Sequence, residues 1–296
     1  MKKIIIVLTS IILTSCTGQK DNNDASGTFE AVEIIVSAEA SGKIMEFNVE
    51  EGKRLNAGQQ LGFIDTIQLY LKKMQLLSSI KAVNNRQQDV SKQIAAIIEQ
   101  IETQKREKER TERLISANAA NKKQLDDINS QIAILEKQLS AQSSTLERGN
   151  KSITEESSAL EIQVAQIDDQ LNKSKITAPI SGTVLVKYAE PHEITAIGKP
   201  LFKIADTGNM ILRAYIVSGQ ISQVKTGQTV KVLSDYGDSG VREYAGTITW
   251  VSEKAEFTPK TIQTKDERAN LVYAVKIAVK NDGFLKIGMY GDIKFE

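Results

Sequence analysis

The stretch A-P-I-S-G-T-V, Ala178 to Val184, decides how this chain is read, because A-E-A-S-G-K-I, Ala38 to Ile44, has already spelled nearly the same phrase. At one constant offset Gly42 matches Gly182, Ile44 matches Val184, Gly58 matches Gly198, Leu61 matches Leu201 and Ile64 matches Ile204. A match sustained at fixed spacing marks one structural unit used twice. Each copy reads as short strands: small or β-branched residues around a glycine, a glycine turn (N-A-G-Q-Q, A-I-G-K-P), then an apolar ending (L-G-F-I-D, L-F-K-I-A-D). Neither copy is long enough to close a core alone, so the two halves, residues 30–66 and 175–206, are expected to fold against each other.

Residues 67–174, between the copies, change composition: no proline, one glycine, and abundant Gln, Lys, Glu, Leu, Ile and Ala, which is the composition of helix. Apolar residues recur in alternating steps of three and four, at Leu76, Ile80, Val83, Val90, Ile94, Ile97 and Ile101. They do so again at Leu125, Ile128, Ile132, Leu135 and Leu139, followed by Leu146, Ile153, Leu160, Val164, Ile167 and Leu171. This is a coiled-coil seam, a narrow apolar stripe on a solvated helix. Its register slips by one residue between Gly149 and Leu160, and Gly149 is the expected weak point. A single rod would hold the two halves far apart, so the segment must be an antiparallel hairpin. Its turn falls in S-A-N-A-A-N-K, at residues 117–122, where Asn118 and Asn121 suit helix caps. Arms of about 50 residues at about 1.5 Å per residue make a spike of roughly 75 Å.

The 296-residue chain begins with M-K-K and an apolar run of about ten residues, which suits a secretory signal and is too short to span a bilayer. The run ends in Leu13-Thr14-Ser15-Cys16, a string that resembles a bacterial lipobox, in which the cysteine is lipidated and becomes the mature N-terminus. The alternative is an ordinary signal peptide with an incidental cysteine, or a buried thiol. Cys16 is the single cysteine, so its acylation would leave no thiol for a disulfide, a metal site or nucleophilic catalysis. Residues 1–16 are read as the signal and residues 17–29, polar and without apolar periodicity, as a flexible tether. At the other end, residues 207–296 hold M-I-L-R-A-Y-I-V, T-V-K-V-L, Y-A-G-T-I-T-W-V, L-V-Y-A-V-K-I-A-V and M-Y-G-D-I-K-F between glycine and polar turns, the pattern of a small antiparallel β-barrel. The fold class is therefore mixed α and β, elongated. Lys plus Arg number 38 and Asp plus Glu 37, a balance that argues against a broad nucleic-acid or polybasic membrane field.

This organisation resembles the HlyD-type membrane fusion proteins, the periplasmic adaptors of bacterial export pumps, in which a lipoyl-like β-sandwich is split by a helical hairpin and followed by a β-barrel. The resemblance runs from about Glu30 to the end and rests on order: V-E-E-G-K-R-L-N-A-G-Q-Q-L, the hairpin, K-I-T-A-P-I-S-G-T-V, G-K-P-L-F-K-I-A-D, then I-V-S-G-Q-I-S-Q-V-K-T-G-Q-T-V-K-V. The stretch A-E-F-T-P-K-T-I-Q-T-K-D-E-R-A-N-L-V-Y-A-V-K-I is similar to the branch that serves ABC-type exporters. The resemblance implies an inner-membrane ABC-type permease and ATPase as partners, a TolC-like outer-membrane duct, a ring of copies, expected to be hexameric, and a periplasmic location held to the inner membrane through lipidated Cys16. Some relatives add a membrane-proximal domain, which is expected to be absent or rudimentary here because the chain stops with the strand at Phe295.

At the tip, many adaptors carry Arg-Leu, six residues, Ser and then Leu to dock the duct. Here the matching positions are Arg113, Leu114, Asn121 and Leu125, with asparagine in place of serine. The competing reading is that Arg113 and Leu114 finish one helix and Asn121 caps the next, since any hairpin needs such caps. No catalytic residue, cofactor or metal is expected. A working lipoyl domain presents its lysine at a tight turn, whereas the hairpin opens that turn and puts Lys72 and Lys73 on a helix. His192, the single histidine, has no second histidine or cysteine beside it. K-R-E-K-E-R-T-E-R, Lys105 to Arg113, reads as a solvated face of i to i+4 pairs or as a contact patch. Trp250, within T-I-T-W-V, is expected to pack inside the barrel. An adaptor of an RND- or MFS-type pump stays open, as does a lipid-anchored coiled-coil scaffold with no pump, although a mere tether has no reason to return the chain to its starting point.

Overall fold

The computed structural model describes residues 24–235, 240–257 and 271–295; Cys16 and residues 258–270 of the stretch similar to the ABC-linked branch lie outside them. The repeat governs the first unit. Strands β2 (Glu33–Ser37), β3 (Gly42–Phe47), β4 (Arg54–Leu55) and β5 (Gln60–Ile64) come from the first half; β6 (Lys175–Thr177), β7 (Gly182–Lys187), β8 (Ile194–Thr195) and β9 (Pro200–Ala205) come from the second. They form two four-stranded sheets, ordered β2-β9-β7-β4 and β6-β5-β3-β8, so each sheet takes two strands from each half. Exchanging the halves turns one order into the other. Interlocking of this kind explains why neither half could close a core, and it brings the repeated residues Ile44, Val184, Leu61, Leu201, Ile64 and Ile204 into one buried cluster. The repeat breaks where packing requires it. A Cβ on Gly62 would lie 1.9 Å from the Glu46 carbonyl oxygen, while its counterpart Phe202 is fully buried with its ring 6.1 Å from that of Phe47.

The hairpin leaves β5 and returns into β6. Its outgoing arm is two helices, α1 (Ile67–Asn84) and α2 (Val90–Ser116), and its return arm is one, α3 (Lys122–Lys173). The arms are antiparallel, with Lys73 paired to Asp168 at 2.6 Å near the base and Arg86 paired to Glu156 farther out. The expected weak point at Gly149 is not where the helix gives way. Gly149 lies inside an uninterrupted α3, because one glycine costs a long helix only about 1 kcal/mol and leaves its hydrogen-bond ladder intact. The slip of the α3 seam is instead taken up by the facing arm, where residues 85–89 are non-helical. The seam step there falls on exposed Gln87, Asp89 caps the restart of α2 by accepting from the Lys92 N–H, and Asn150 grips the gap.

The barrel is a closed ring of β10 (Asn209–Val217), β1 (Ala25–Glu30), β15 (Tyr290–Lys294), β11 (Thr229–Asp235), β12 (Val241–Val251) and β14 (Leu271–Lys280), with β10 pairing back to β14 and the short β13 (Glu256–Phe257) added on β14. Residues 25–29, read from composition as tether, are thus barrel strand: β1 pairs with both β10 and β15, and Phe29 is fully buried in the barrel core. Trp250 is likewise not inside. The register with β14 shifts between Ile248 and Trp250, so buried Ile248 is followed by an extra residue that turns Trp250 outward, 41% exposed, with Lys276 Nζ 5.4 Å from its ring centroid.

Candidate functional site at the hairpin tip

The tip is built by two caps. The outgoing arm closes with Asn118 at φ 57°, a left-handed conformation that asparagine tolerates. The Asn118 N–H donates to the Ile115 carbonyl (2.9 Å) and the Ala119 N–H to the Leu114 carbonyl (2.8 Å), the double bond of a Schellman ending with asparagine where glycine is usual. Arg113 adds its carbonyl, which accepts from the Ala117 N–H and from Ser116 Oγ. The return arm opens with Asn121, whose Oδ1 accepts from the Lys123 N–H at 2.9 Å, while Gln124 Oε1 accepts from the Asn121 N–H to complete a capping box.

Of the residues matched to the docking pattern, Arg113 and Leu114 therefore serve the turn through their backbones and leave their side chains exposed, Leu114 by 40%. Asn121 uses its side chain as the cap, and Leu125 is half-buried one turn further along. At Arg113 and Leu114 the capping and docking readings thus use different atoms, whereas at Asn121 both call on the same side chain. Toward the base the charged run behaves as a solvated face, with Lys105 paired to Glu102 (3.0 Å), Arg106 to Glu99 (3.2 Å) and Arg110 to Glu107 (3.8 Å). Thr111 alone in that run is buried, at a seam position.

Two contributors escaped the sequence reading. Gln124 is the second half of the capping box, and the asparagine-then-glutamine spacing of Asn121 and Gln124 was its signal. Asn150 holds the gap in the opposite arm, and the polar Gln87 at a seam step was the only hint of it. Elsewhere, Lys72 and Lys73 lie on α1, with Lys73 tied to Asp168. Exposed His192 stands at φ 74° in the turn whose counterpart in the first half is Gly52 at φ 80°. Their backbones repeat too: the His192 N–H donates to the Ile44 carbonyl and the Gly52 N–H to the Val184 carbonyl. Among the described residues no group of three or more His, Cys, Asp or Glu is placed to hold a metal, and no helix is long and apolar enough to cross a membrane.

Residues 32–196 match the family described as RND MFP, barrel-sandwich hybrid domain. The UPF0194 membrane protein YbhG of Salmonella gallinarum is 34% identical over 126 residues, 42% of this chain and 38% of that protein, so the match takes in well under half of the relative's length. Among solved structures, MacA from Actinobacillus actinomycetemcomitans aligns with 92% of this chain and 78% of its own at a TM-score of 0.53 and 22% identity. The membrane fusion protein Spr0693 from Streptococcus pneumoniae aligns with 92% of this chain and 97% of its own at a TM-score of 0.53 and 16% identity. These structural likenesses concern the fold.

Proposed function

The chain belongs to the membrane-fusion-protein family (RND MFP, barrel-sandwich hybrid domain), and from that premise we propose that it is a periplasmic adaptor linking an inner-membrane exporter, of the ABC type, to a TolC-like outer-membrane duct. The observation that carries the reading is the interlocked sandwich: the chain travels out along α1 and α2, comes back along a helix of 52 residues, about 78 Å, and closes the same two sheets it left. A simple tether needs no such return. An adaptor does, because each copy must present a spike from a rigid base so that copies can stand side by side and enclose a conduit. A closed ring, six-membered by resemblance, is the corresponding assembly. Its contribution is spacing and mechanical coupling, with no reaction of its own.

Acylated Cys16 would hold the chain to the inner membrane. The segment from Cys16 to Ala25, fully extended, reaches about 30 Å, which makes the barrel the membrane-proximal part and sends the tip of Arg113, Leu114, Asn121 and Leu125 outward toward the duct. An RND-type exporter is the second reading, favoured by the description of the matched family domain. The test is to purify the detergent-solubilised protein with the permease and ATPase encoded beside its gene, and to measure ring formation by native mass together with ATP hydrolysis. A ring that stimulates the ATPase supports an ABC adaptor; a ring that joins only an RND exporter supports the second reading; a monomer indifferent to an intact pump overturns both. Leu114→Glu should leave the ring and the ATPase effect unchanged and abolish capture of the duct.

A further inference from the structure

Helix α1 carries apolar side chains well beyond its seam, with Gln68, Lys72, Gln75 and Ser79 confined to one polar strip. Leu69, Leu76, Ile80 and Val83 form its share of the seam, yet Ile67, Tyr70, Leu71, Met74 and Leu77 are also present and are between 40 and 59% exposed. An apolar face wider than one seam is suited to being covered on more than one side, and among the described elements the packing along it comes from α3. The outer half of the hairpin is different: its exposed large apolar side chains are single and far apart, Ile98 and Leu114 on α2 and Ile134 on α3. The excess is confined to the base.

At that same base a cleft of about 510 Å³ opens between sandwich and hairpin, with Ala40, Leu69 and Ile197 in its lining and Gln68 and Gln170 at the helix side. The charged Glu39, Lys43, Asp65 and Lys173 are also in its lining. Ile197 and nearby Ile194 are 72 and 78% exposed. Ridge and cleft lie on opposite flanks. At about 100° per residue, Gln68 precedes the seam residue Leu69 by one step, whereas Tyr70, Met74 and Leu77 follow the seam residues Leu69, Lys73 and Leu76 by one step.

Opposite flanks at adjoining heights suit a head-to-tail contact repeated about one axis. We infer that the outer ridge of α1 (Tyr70, Met74, Leu77) in one copy seats in the cleft at the hairpin base (Ala40, Leu69, Ile197) of the next copy. The partner is a second copy of this chain, because one molecule carries both the apolar ridge and a receptacle with apolar side chains at its centre, at adjoining levels of the hairpin base and facing opposite ways. This rests on the ring proposed above and assigns its contact to the hairpin base.

The test uses the full-length protein in detergent, carrying Met74→Cys and Ile197→Cys together and treated with a bifunctional thiol linker. The expected result is a ladder of joined copies ending at the ring size, with neither single variant exceeding the background of the unaltered chain and its Cys16. A ring by native mass whose double variant stays unjoined overturns the ridge-to-cleft contact and leaves the ring standing. Joining to an exporter subunit in the presence of the pump, in place of a ladder, overturns it as well. A monomer by native mass removes the ring itself. Charge variants on the two sides keep the test open if the cysteine pair folds poorly: Met74→Glu and Ile197→Glu should each abolish the ring with helical content unchanged, and their mixture should yield heterodimers through the one intact contact. Rings that persist in both variants overturn the inference.

Discussion

Asn150 offers the sharpest test of how the hairpin is held together. Its side chain exchanges two hydrogen bonds with the backbone of Gln88 in the non-helical gap: the Gln88 N–H donates to Oδ1 at 2.9 Å, and Nδ2 donates to the Gln88 carbonyl at 2.7 Å. Each neutral hydrogen bond contributes about 0.5–1.5 kcal/mol net, and because Gln88 is exposed its freed groups return to water, so Asn150→Ala should cost about 1–2 kcal/mol locally. That loss should appear as about 5- to 30-fold faster amide hydrogen exchange across residues 86–90. Exchange at the base of α1 and at the tip should stay unchanged. Asn150→Asp is the discriminating control, since it keeps an acceptor for the Gln88 N–H but turns a second oxygen toward the Gln88 carbonyl, and it should not restore protection. Unchanged exchange at residues 86–90 in Asn150→Ala, or an acceleration spread evenly along the whole chain, would refute the idea that Asn150 closes the gap.

Other outcomes follow from the same geometry. Gly149→Ala, where an added Cβ meets nothing within 4 Å, should stabilise the hairpin by about 0.5–1 kcal/mol in chemical denaturation, whereas Gly182→Ala, whose Cβ would lie 2.3 Å from the Ala205 carbonyl oxygen, should destabilise the sandwich by about 1–3 kcal/mol or more. His192→Gly removes a left-handed non-glycine residue and should give a net gain of about 0.5–1 kcal/mol in the same assay, the relief exceeding the added freedom of the unfolded chain. Asp89 is held below the usual aspartate value by the Ser91 hydroxyl, at 2.5 Å, and then by the Lys92 N–H. A depressed folded value means that its stabilisation is present above the unfolded value, about 4, and is lost as pH falls below it. Far-UV circular dichroism should therefore show a loss of helix stability on acidification below about pH 4 that is smaller in Asp89→Asn.

The tip and the sandwich were legible in the sequence because their determinants are local or repeated. Strand periodicity and a phrase written twice specify two half-units, and Asn118 and Asn121 announce the turn through the chemistry of helix caps. The candidate docking residues Arg113 and Leu114 could be located but not divided into backbone and side-chain roles, since that division depends on the Schellman bonds that the folded turn makes. Two of the elements placed differently by the structure, the gap at residues 85–89 and the outward Trp250, share one cause. The slip in the α3 seam was readable, but which arm yields to it depends on the partner: a glycine within a long helix keeps its ladder, while the facing segment ends α1 at the asparagines 84 and 85, has Asp89 to restart α2 and Asn150 to grip the gap. A bulge that turns Trp250 over exists only relative to β14. The sequence by itself thus determined the periodicities, the caps and the return of the chain. Tertiary structure decided which face of each element is covered, including the recruitment of residues 25–29 into the barrel, because burial is a property of pairs of elements and is not written in either one alone.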